Sequence, residues 1–306
     1  MNRARRATWA RKATRARRRQ RAGPLLLALL TVLAGPAACG HGSAGRPGPA
    51  RLTVRVLAVL PHDPTRFTEG LELDGGVLYE SSGLYGRSAL SADSWPGGRP
   101  RVRAALPNGL FGEGVAVVGD RIWQLTWREG IALRRRRNDL AVVDEVRYPG
   151  EGWGLCYDGR RLVMSDGTAR LTFRDPRTFA GTGTVRVTEA GRPVPGLNAL
   201  GCAGGAVWAN VWKRGDILRI DPADGTVTGV ADASGLLPAD RRAGTDVLNG
   251  IAAIPGGSQF LLTGKFWPSM FRVAFAAAPR GRRPRPGQRV VASSADIAAS
   301  TRGSTR

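Results

Sequence analysis

Five segments of the chain repeat one pattern: a polar or aromatic residue, an apolar run, a Gly-containing turn, and a second apolar run ending in polar residues. They open at Glu69, Glu113, Trp153, Asn198 and Asn249. The first four read EGLELDGGVLYESS, EGVAVVGDRIWQLT, WGLCYDGRRLVMSD and NALGCAGGAVWANV, with Gly76, Asp120, Arg160 and Gly205 each seven residues past the opening residue. The fifth, NGIAAIPGGSQFLLTGK, carries one or two extra turn residues. Spacings of 44, 40, 45 and 51 residues fit the roughly 40–50 residue period of a β-propeller blade. The pattern therefore predicts an all-β chain folded as a five-bladed β-propeller. The innermost strand of each blade faces a central channel, so the five opening residues are expected to converge around one axis.

Such a ring must close. LTVRVLAVL, Leu52 to Leu60, alternates as a strand does and ends at Pro61. It precedes the first repeat, while SMFRVAF, Ser269 to Phe275, supplies only a third strand to the last. Leu52 to Leu60 is thus predicted as the outer strand of the fifth blade, which removes two exposed sheet edges at once.

The formal charge of +22 invites a nucleic-acid reading, but its distribution argues otherwise. Residues 1–23 hold ten basic side chains and no acid, and residues 279–306 hold seven Arg against Asp296, so the remaining body carries only +6. No basic groove with interleaved aromatics is visible, and no nucleic acid is expected as a partner. The N-terminus has the layout of an export signal: a basic stretch to Arg21, an apolar run from Pro24 to Ala34, then small residues before Cys39. That run is too short to span a bilayer stably. Ala37-Ala38-Cys39 suggests a lipoprotein site although Pro36 stands where Leu is usual, so membrane attachment through a lipidated Cys39 and plain cleavage nearby both stay open. The expected organisation is a signal peptide over 1–38, a flexible tether over 39–51, the propeller over 52–278 and a disordered basic tail over 279–306 of an exported monomer, secreted or held at the cell surface. Cys156 and Cys202 occupy nearly matching positions in successive repeats. A bridge between them is conceivable, yet two buried free thiols are the expectation, because sequence does not supply the Cα separation that a disulfide needs.

PHDPTRFTEGL (Pro61 to Leu71), LYESSGLYGRS (Leu78 to Ser88), FGEG (Phe111 to Gly114), QLTW (Gln124 to Trp127), GEGWGL (Gly150 to Leu155), ANVW (Ala209 to Trp212), DVLNGIA (Asp246 to Ala252) and TGKFWP (Thr263 to Pro268) together resemble the glutamine cyclotransferase family of plants and bacteria. The likeness runs from about Pro61 to Phe275. It implies a five-bladed propeller that converts the N-terminal glutamine of peptides or proteins into pyroglutamate with release of ammonia, without a catalytic zinc. It also implies that Glu113 is the catalytic glutamate, that Lys265 and Asn198 are pocket donors, and that Trp127, Trp153 and Trp212 line the substrate pocket. Phe67, Glu69, Phe111, Asn249 and Trp267 are expected to complete the wall, and Trp95, Trp123 and Trp208 to be structural.

The chemistry agrees with those residue types. Cyclisation needs a proton to leave the α-amine and another to reach the departing nitrogen, and one carboxyl group with a pKa raised by burial serves both needs. Donors must be aimed at the carboxamide oxygen, where negative charge develops. Flat rings would hold the slim glutamine stem and exclude water. Two departures from the family stand out: Glu69 where FTQGL is common, and LNALG in place of LNELE. No cofactor is required by this chemistry, though the carboxylates leave open a structural calcium on the axis. Two other readings compete. One is a noncatalytic peptide-binding propeller. The other is a calcium-dependent propeller lactonase or esterase, using Glu69, Glu113, Asn198 and Asn249 as hard oxygen ligands.

Overall fold

The computed structural model describes residues 48–278. The expected signal peptide, Cys39, the tether up to residue 47 and the basic tail lie outside the described residues. Strand β1 (Ala50–Pro61) leads into a four-stranded sheet of β2 (Thr68–Asp74), β3 (Val77–Ser82), β4 (Ala89–Ser94) and β5 (Pro100–Ala105). A second contains β6 (Gly112–Val118), β7 (Arg121–Thr126), β8 (Ile131–Arg136) and β9 (Val142–Arg147). A third contains β10 (Leu155–Tyr157), β11 (Leu162–Ser165), β12 (Arg170–Arg174) and β13 (Gly181–Arg186), followed by a small hairpin of β14 (Thr188–Glu189) and β15 (Arg192–Pro193). The rest is β16 (Leu197–Ala203), β17 (Ala206–Val211), β18 (Asp216–Ile220), β19 (Val227–Asp232), β20 (Leu248–Ala253), β21 (Gln259–Gly264) and β22 (Ser269–Ala277). Among the described residues the one helical segment is a single 3₁₀ turn, Ala239–Arg241, so the fold is all-β.

Strand β1 begins two residues ahead of the expected Leu52 and pairs antiparallel with β22, Leu52 opposite Ala277 and Pro61 opposite Ser269. It also pairs parallel with β19, Ala50 opposite Gly229, which fuses the last seven strands and β1 into one eight-stranded sheet ordered β16-β17-β18-β19-β1-β22-β21-β20. The repeat pattern contains no trace of this second pairing, because three parallel partners impose no periodicity on either strand.

The apolar runs are buried where successive groups of strands meet. Val77 and Tyr79 pack with Val115 and Ile122, and Trp123 and Leu125 with Leu155 and Met164. Val163 and Leu171 pack with Leu200 and Leu218, and Ala199 and Ile217 with Ile251 and Phe260. Leu261 and Ala252 then pack back against Leu71 and Leu78. Each fully buried aliphatic side chain contributes about 1.5–3 kcal/mol relative to exposure. Accordingly β2, β6, β10, β16 and β20, the strands that carry or follow the opening residues, touch one another in a closed cycle.

The glycine after an opening residue makes that cycle tight. A Cβ on Gly70 would lie 2.7 Å from the Val115 nitrogen, and one on Gly114 2.5 Å from the Leu155 nitrogen. One on Gly154 would overlap the Asn198 carbonyl. Only glycine admits backbone this close. Strand pairing also slips between Thr68 and Gly70, Gly112 and Val115, Leu197 and Leu200, and Leu248 and Ile251. Such irregularities re-aim a side chain, and those re-aimed here include Glu69, Glu113, Asn198 and Asn249.

The expectation of free thiols is overturned. Cys156 on β10 and Cys202 on β16 are joined by a disulfide, with Cα atoms 5.5 Å apart. The strands bearing them are neighbours in the cycle, which nearly matching positions in sequence did not reveal. The bridge closes a loop 46 residues apart in sequence, so Cys156→Ser with Cys202→Ser should lower unfolding stability by about 2–4 kcal/mol. Urea denaturation of the double variant, with and without reductant, checks this; a midpoint unchanged from the oxidised parent contradicts it.

Candidate active site

One pocket, of about 550 Å³, is lined by Phe67, Glu69, Phe111, Glu113, Trp127, Arg128, Glu151, Trp153, Asn198, Trp212, Asp246 and Lys265. Nine of these were singled out from the sequence: all but Arg128, Glu151 and Asp246. The site is assembled from several strand starts and the segments flanking them, and the bulges at Glu69, Glu113 and Asn198 turn those side chains toward it.

Its walls form an aromatic arc. Phe67 meets Phe111 edge-on with centroids 6.2 Å apart, and Phe111 meets Trp127 at 5.4 Å. Further round, Trp153 meets Trp212 edge-on at 5.8 Å. Glu151 joins the two halves: its Oε2 accepts from Trp127 Nε1 at 2.8 Å and from Trp153 Nε1 at 2.9 Å. Its Oε1 accepts from Arg128 Nε at 3.1 Å, and the Arg128 guanidinium lies 3.7 Å over the Trp127 ring. Sequence reasoning missed Glu151, although it stands inside GEGWGL; a carboxylate two residues before a tryptophan has no pattern that marks it as the acceptor for two indoles from different segments.

The floor is charged. Lys265 Nζ donates to Glu69 Oε1 at 2.7 Å and lies 4.3 Å from the centre of the Phe67 ring. Asn249 Nδ2 donates to Glu69 Oε2 at 2.9 Å and to the Thr68 carbonyl at 3.0 Å, while its Oδ1 accepts from the Ala199 N–H at 3.4 Å. Both oxygens of Glu69 are thus occupied. Asn249 is completely buried behind Glu69 and does not line the cavity, contrary to the expectation that it forms part of the wall. Trp267 is likewise displaced from its expected place: its Nε1 donates to the Asp246 carbonyl at 2.9 Å, and its ring meets Phe271 in the core. Trp123 and Trp208 are core residues, and Trp95 packs half-buried beside Leu73 and Met270.

Behind Phe67 and Glu69, a buried ion cluster holds the segment that presents them. Glu80 accepts from Thr68 Oγ1 at 2.6 Å, from His62 Nε2 at 3.0 Å and from Arg66 NH1 at 2.7 Å. Burial would raise the Glu80 pKa, but His62 and Arg66 bring it down to about 2. His62 Nδ1 reaches the Trp267 carbonyl at 2.7 Å, so the segment before β2 is tied to the segment before β22.

Three carboxyl groups at the site are pushed in different directions. Burial raises Glu113 well above the ordinary carboxylate range, and the neighbouring charge of Glu69 adds to the rise. Its Oε2 is buried without a hydrogen-bond partner. Burial also raises Glu69, to about 7, against the opposing pull of Lys265 and Asn249. Burial of Glu151 acts the same way but is outweighed by the two indole N–H groups and Arg128, which keep it below the usual range. Carboxyl groups driven apart in this way mark acid–base assignments. Asn198 lines the same cavity, and its Oδ1 is also buried without a hydrogen-bond partner.

An all-β protein with an aromatic pocket, a buried carboxyl of raised pKa and a buried ion pair at its floor has the equipment for proton transfer on a small polar group held between flat rings. The comparisons agree. Residues 25–275 match the family model for glutamine cyclotransferase. A glutaminyl-peptide cyclotransferase of Arabidopsis thaliana is 37% identical over 231 residues, 74% of this chain and 72% of that protein. The crystal structure of a Myxococcus xanthus glutaminyl cyclase matches 76% of this chain and all of its own, at 40% identity and a TM-score of 0.70. The chain belongs to the glutamine cyclotransferase family.

The raised carboxyls set a pH dependence of stability. A carboxyl whose folded pKa exceeds its unfolded value contributes stability that is fully present below the unfolded pKa and is lost as pH rises through the folded one. For Glu69 that window runs from about 4.5 to about 7, and Glu113, raised by burial, adds a loss of the same sign. Wild-type protein should therefore lose stability from pH 5 to pH 8, and Glu113→Gln should lose less. Denaturation midpoints of both proteins across that range test the sign; parallel curves contradict it.

Proposed function

We propose that this protein is a glutaminyl-peptide cyclotransferase that converts the N-terminal glutamine of peptides or proteins to pyroglutamate with release of ammonia, and that Glu113 carries its protons. The observation that bears most weight is Glu113 itself: a buried carboxyl with a raised pKa and an unpartnered oxygen, lining a pocket walled by tryptophans. With glutamine in the pocket, its neutral α-amine attacks the side-chain carboxamide carbon and forms the ring C–N bond. Glu113 supplies a proton to the departing nitrogen and takes one from the attacking amine, so the C–N bond to ammonia breaks and the carboxyl is restored. Asn198 is the reading's donor to the carboxamide oxygen, where negative charge gathers in the tetrahedral intermediate. Lys265 adds positive charge nearby, although its ammonium is already paired with Glu69. The indoles of Trp127 and Trp153, fixed by Glu151, exclude water that would hydrolyse the amide.

The architecture we favour is a five-bladed propeller, with β1 completing the sheet of β20, β21 and β22. The closed cycle of contacts among β2, β6, β10, β16 and β20 supports it. Export as a secreted or surface-held monomer is part of the same reading, supported by the disulfide, since such bridges persist in oxidising compartments. We propose that no metal takes part in turnover. Glu69 has both oxygens committed to Lys265 and Asn249, and an ammonium among those oxygens disfavours a calcium cage.

Incubating the protein with a glutaminyl dipeptide should release ammonia, and turnover should survive EDTA or phenanthroline. Loss that returns on adding zinc or calcium contradicts the metal-free reading. Glu113→Gln should lower turnover by roughly 10²–10⁴ with binding little changed, and Lys265→Ala by a smaller factor. Glu69→Gln, which keeps an amide oxygen facing Lys265, should be the mildest. Turnover abolished in Glu69→Gln but retained in Glu113→Gln would reassign the proton carrier.

A further inference from the structure

The longest repeat spacing, 51 residues between Asn198 and Asn249, is not explained by the cyclisation chemistry. The extra chain lies between β19 and β20, residues 233–247, and includes the 3₁₀ turn. It forms one wall of a second cavity, of about 240 Å³, whose lining includes Lys213, Leu237, Arg242, Asp246, Val247 and Trp267. Asp246 lines both cavities, and Lys213 directly follows Trp212 of the active pocket. The two spaces therefore adjoin, and the displaced Trp267 is part of the second.

We infer that this cavity is a subsite for the substrate chain beyond its N-terminal glutamine, and that it favours an acidic side chain at the second or third residue. The inference rests on the cyclotransferase reading. Consecutive residues of an extended peptide advance by about 3.3–3.6 Å, so a peptide leaving the active pocket past Asp246 reaches the second cavity within one or two residues. Three cations, Lys213, Arg214 and Arg242, and one acid, Asp246, line it. Arg214 is paired with Asp216, Nε to Oδ2 at 2.9 Å. The Arg242 guanidinium donates to the Leu237 and Ser234 carbonyls, each at 2.9 Å, and has no carboxylate partner among the described residues. Lys213 lies 4.3 Å from the centre of the Trp212 ring, also with no carboxylate partner among them. Asp246 Oδ1 accepts from the Val247 N–H at 2.7 Å, and the carboxylate at the junction is an acceptor for a substrate backbone N–H. Leu237, Val247 and Trp267 offer an apolar surface for the stem of the side chain.

The test compares kcat/KM for C-terminally amidated tripeptides Gln-Glu-Ala, Gln-Ala-Glu, Gln-Lys-Ala and Gln-Ala-Lys, with Gln-Gly-amide as the reference. One of the glutamate peptides should exceed its lysine counterpart by about three- to tenfold at low salt, the effect of two exposed cations. The preference should shrink in 1 M NaCl, where the Debye length is about 3 Å. Lys213→Glu should move the ratio toward one or reverse it. Arg242→Gln, which retains an amide donor for the loop carbonyls, should reduce it. Turnover of Gln-Gly-amide with no charge preference, or a preference untouched by both substitutions, overturns the subsite alone. No turnover of any peptide overturns the cyclotransferase reading and the subsite with it.

Discussion

Backbone contact at the glycines that follow the opening residues is the constraint from which the rest of the structure follows. Gly70, Gly114 and Gly154 let β2, β6, β10 and β16 approach so nearly that a methyl group would strike the neighbour's main chain. Gly114 N–H even donates to the Trp153 carbonyl at 2.7 Å, outside any regular ladder. Strands drawn this close cannot keep regular pairing with their own sheets, and their registers slip where the opening residues stand. The slips turn Glu69, Glu113 and Asn198 to a common space. Packing between sheets thus produces the site, and the apolar clusters between each pair of neighbours hold the strands in place.

The pocket gains its chemistry from unequal treatment of similar groups. Glu69, Glu113 and Glu151 are all glutamates within one cavity, but only Glu151 has donors enough to stay ionised against burial. Glu69 is balanced between burial and an ammonium. Glu113 has burial and a like charge beside it, so the proton is retained there. A carboxyl raised this way is equipped to give and take a proton, while one held below the usual range fixes the walls. The same economy explains why Glu151 matters without touching the reacting atoms: one carboxylate orients two indoles and an arginine.

The long connection between β19 and β20 adds something the repeats do not need. The connections from β5 to β6 and from β9 to β10 are shorter and hold no further element. Here the segment lines a second cavity and contributes Arg242 to it, with Lys213 from elsewhere in the chain. Loops on a rigid scaffold vary without disturbing the core, so the recognition proposed for this segment is separable from the chemistry at the floor.

The repeats made the all-β class, the strand positions and most of the pocket legible in the sequence, because apolar alternation and glycine turns are local and recur at a regular interval. Glu113, Trp153 and Asn198 open their repeats, so their convergence was readable too, while Lys265, Trp127 and Trp212, near the ends of the second apolar runs, were marked by the family resemblance. The tertiary structure alone decided what depends on distance between remote segments. It joined Cys156 to Cys202, paired β1 with β19, set Asn249 behind Glu69 and moved Trp267 out of the active pocket. It also selected Glu151 as the acceptor for two indoles. Hydrogen bonds and disulfides are short-range and directional, and contacts across 46 or 196 residues of chain leave no periodicity by which a sequence could announce them.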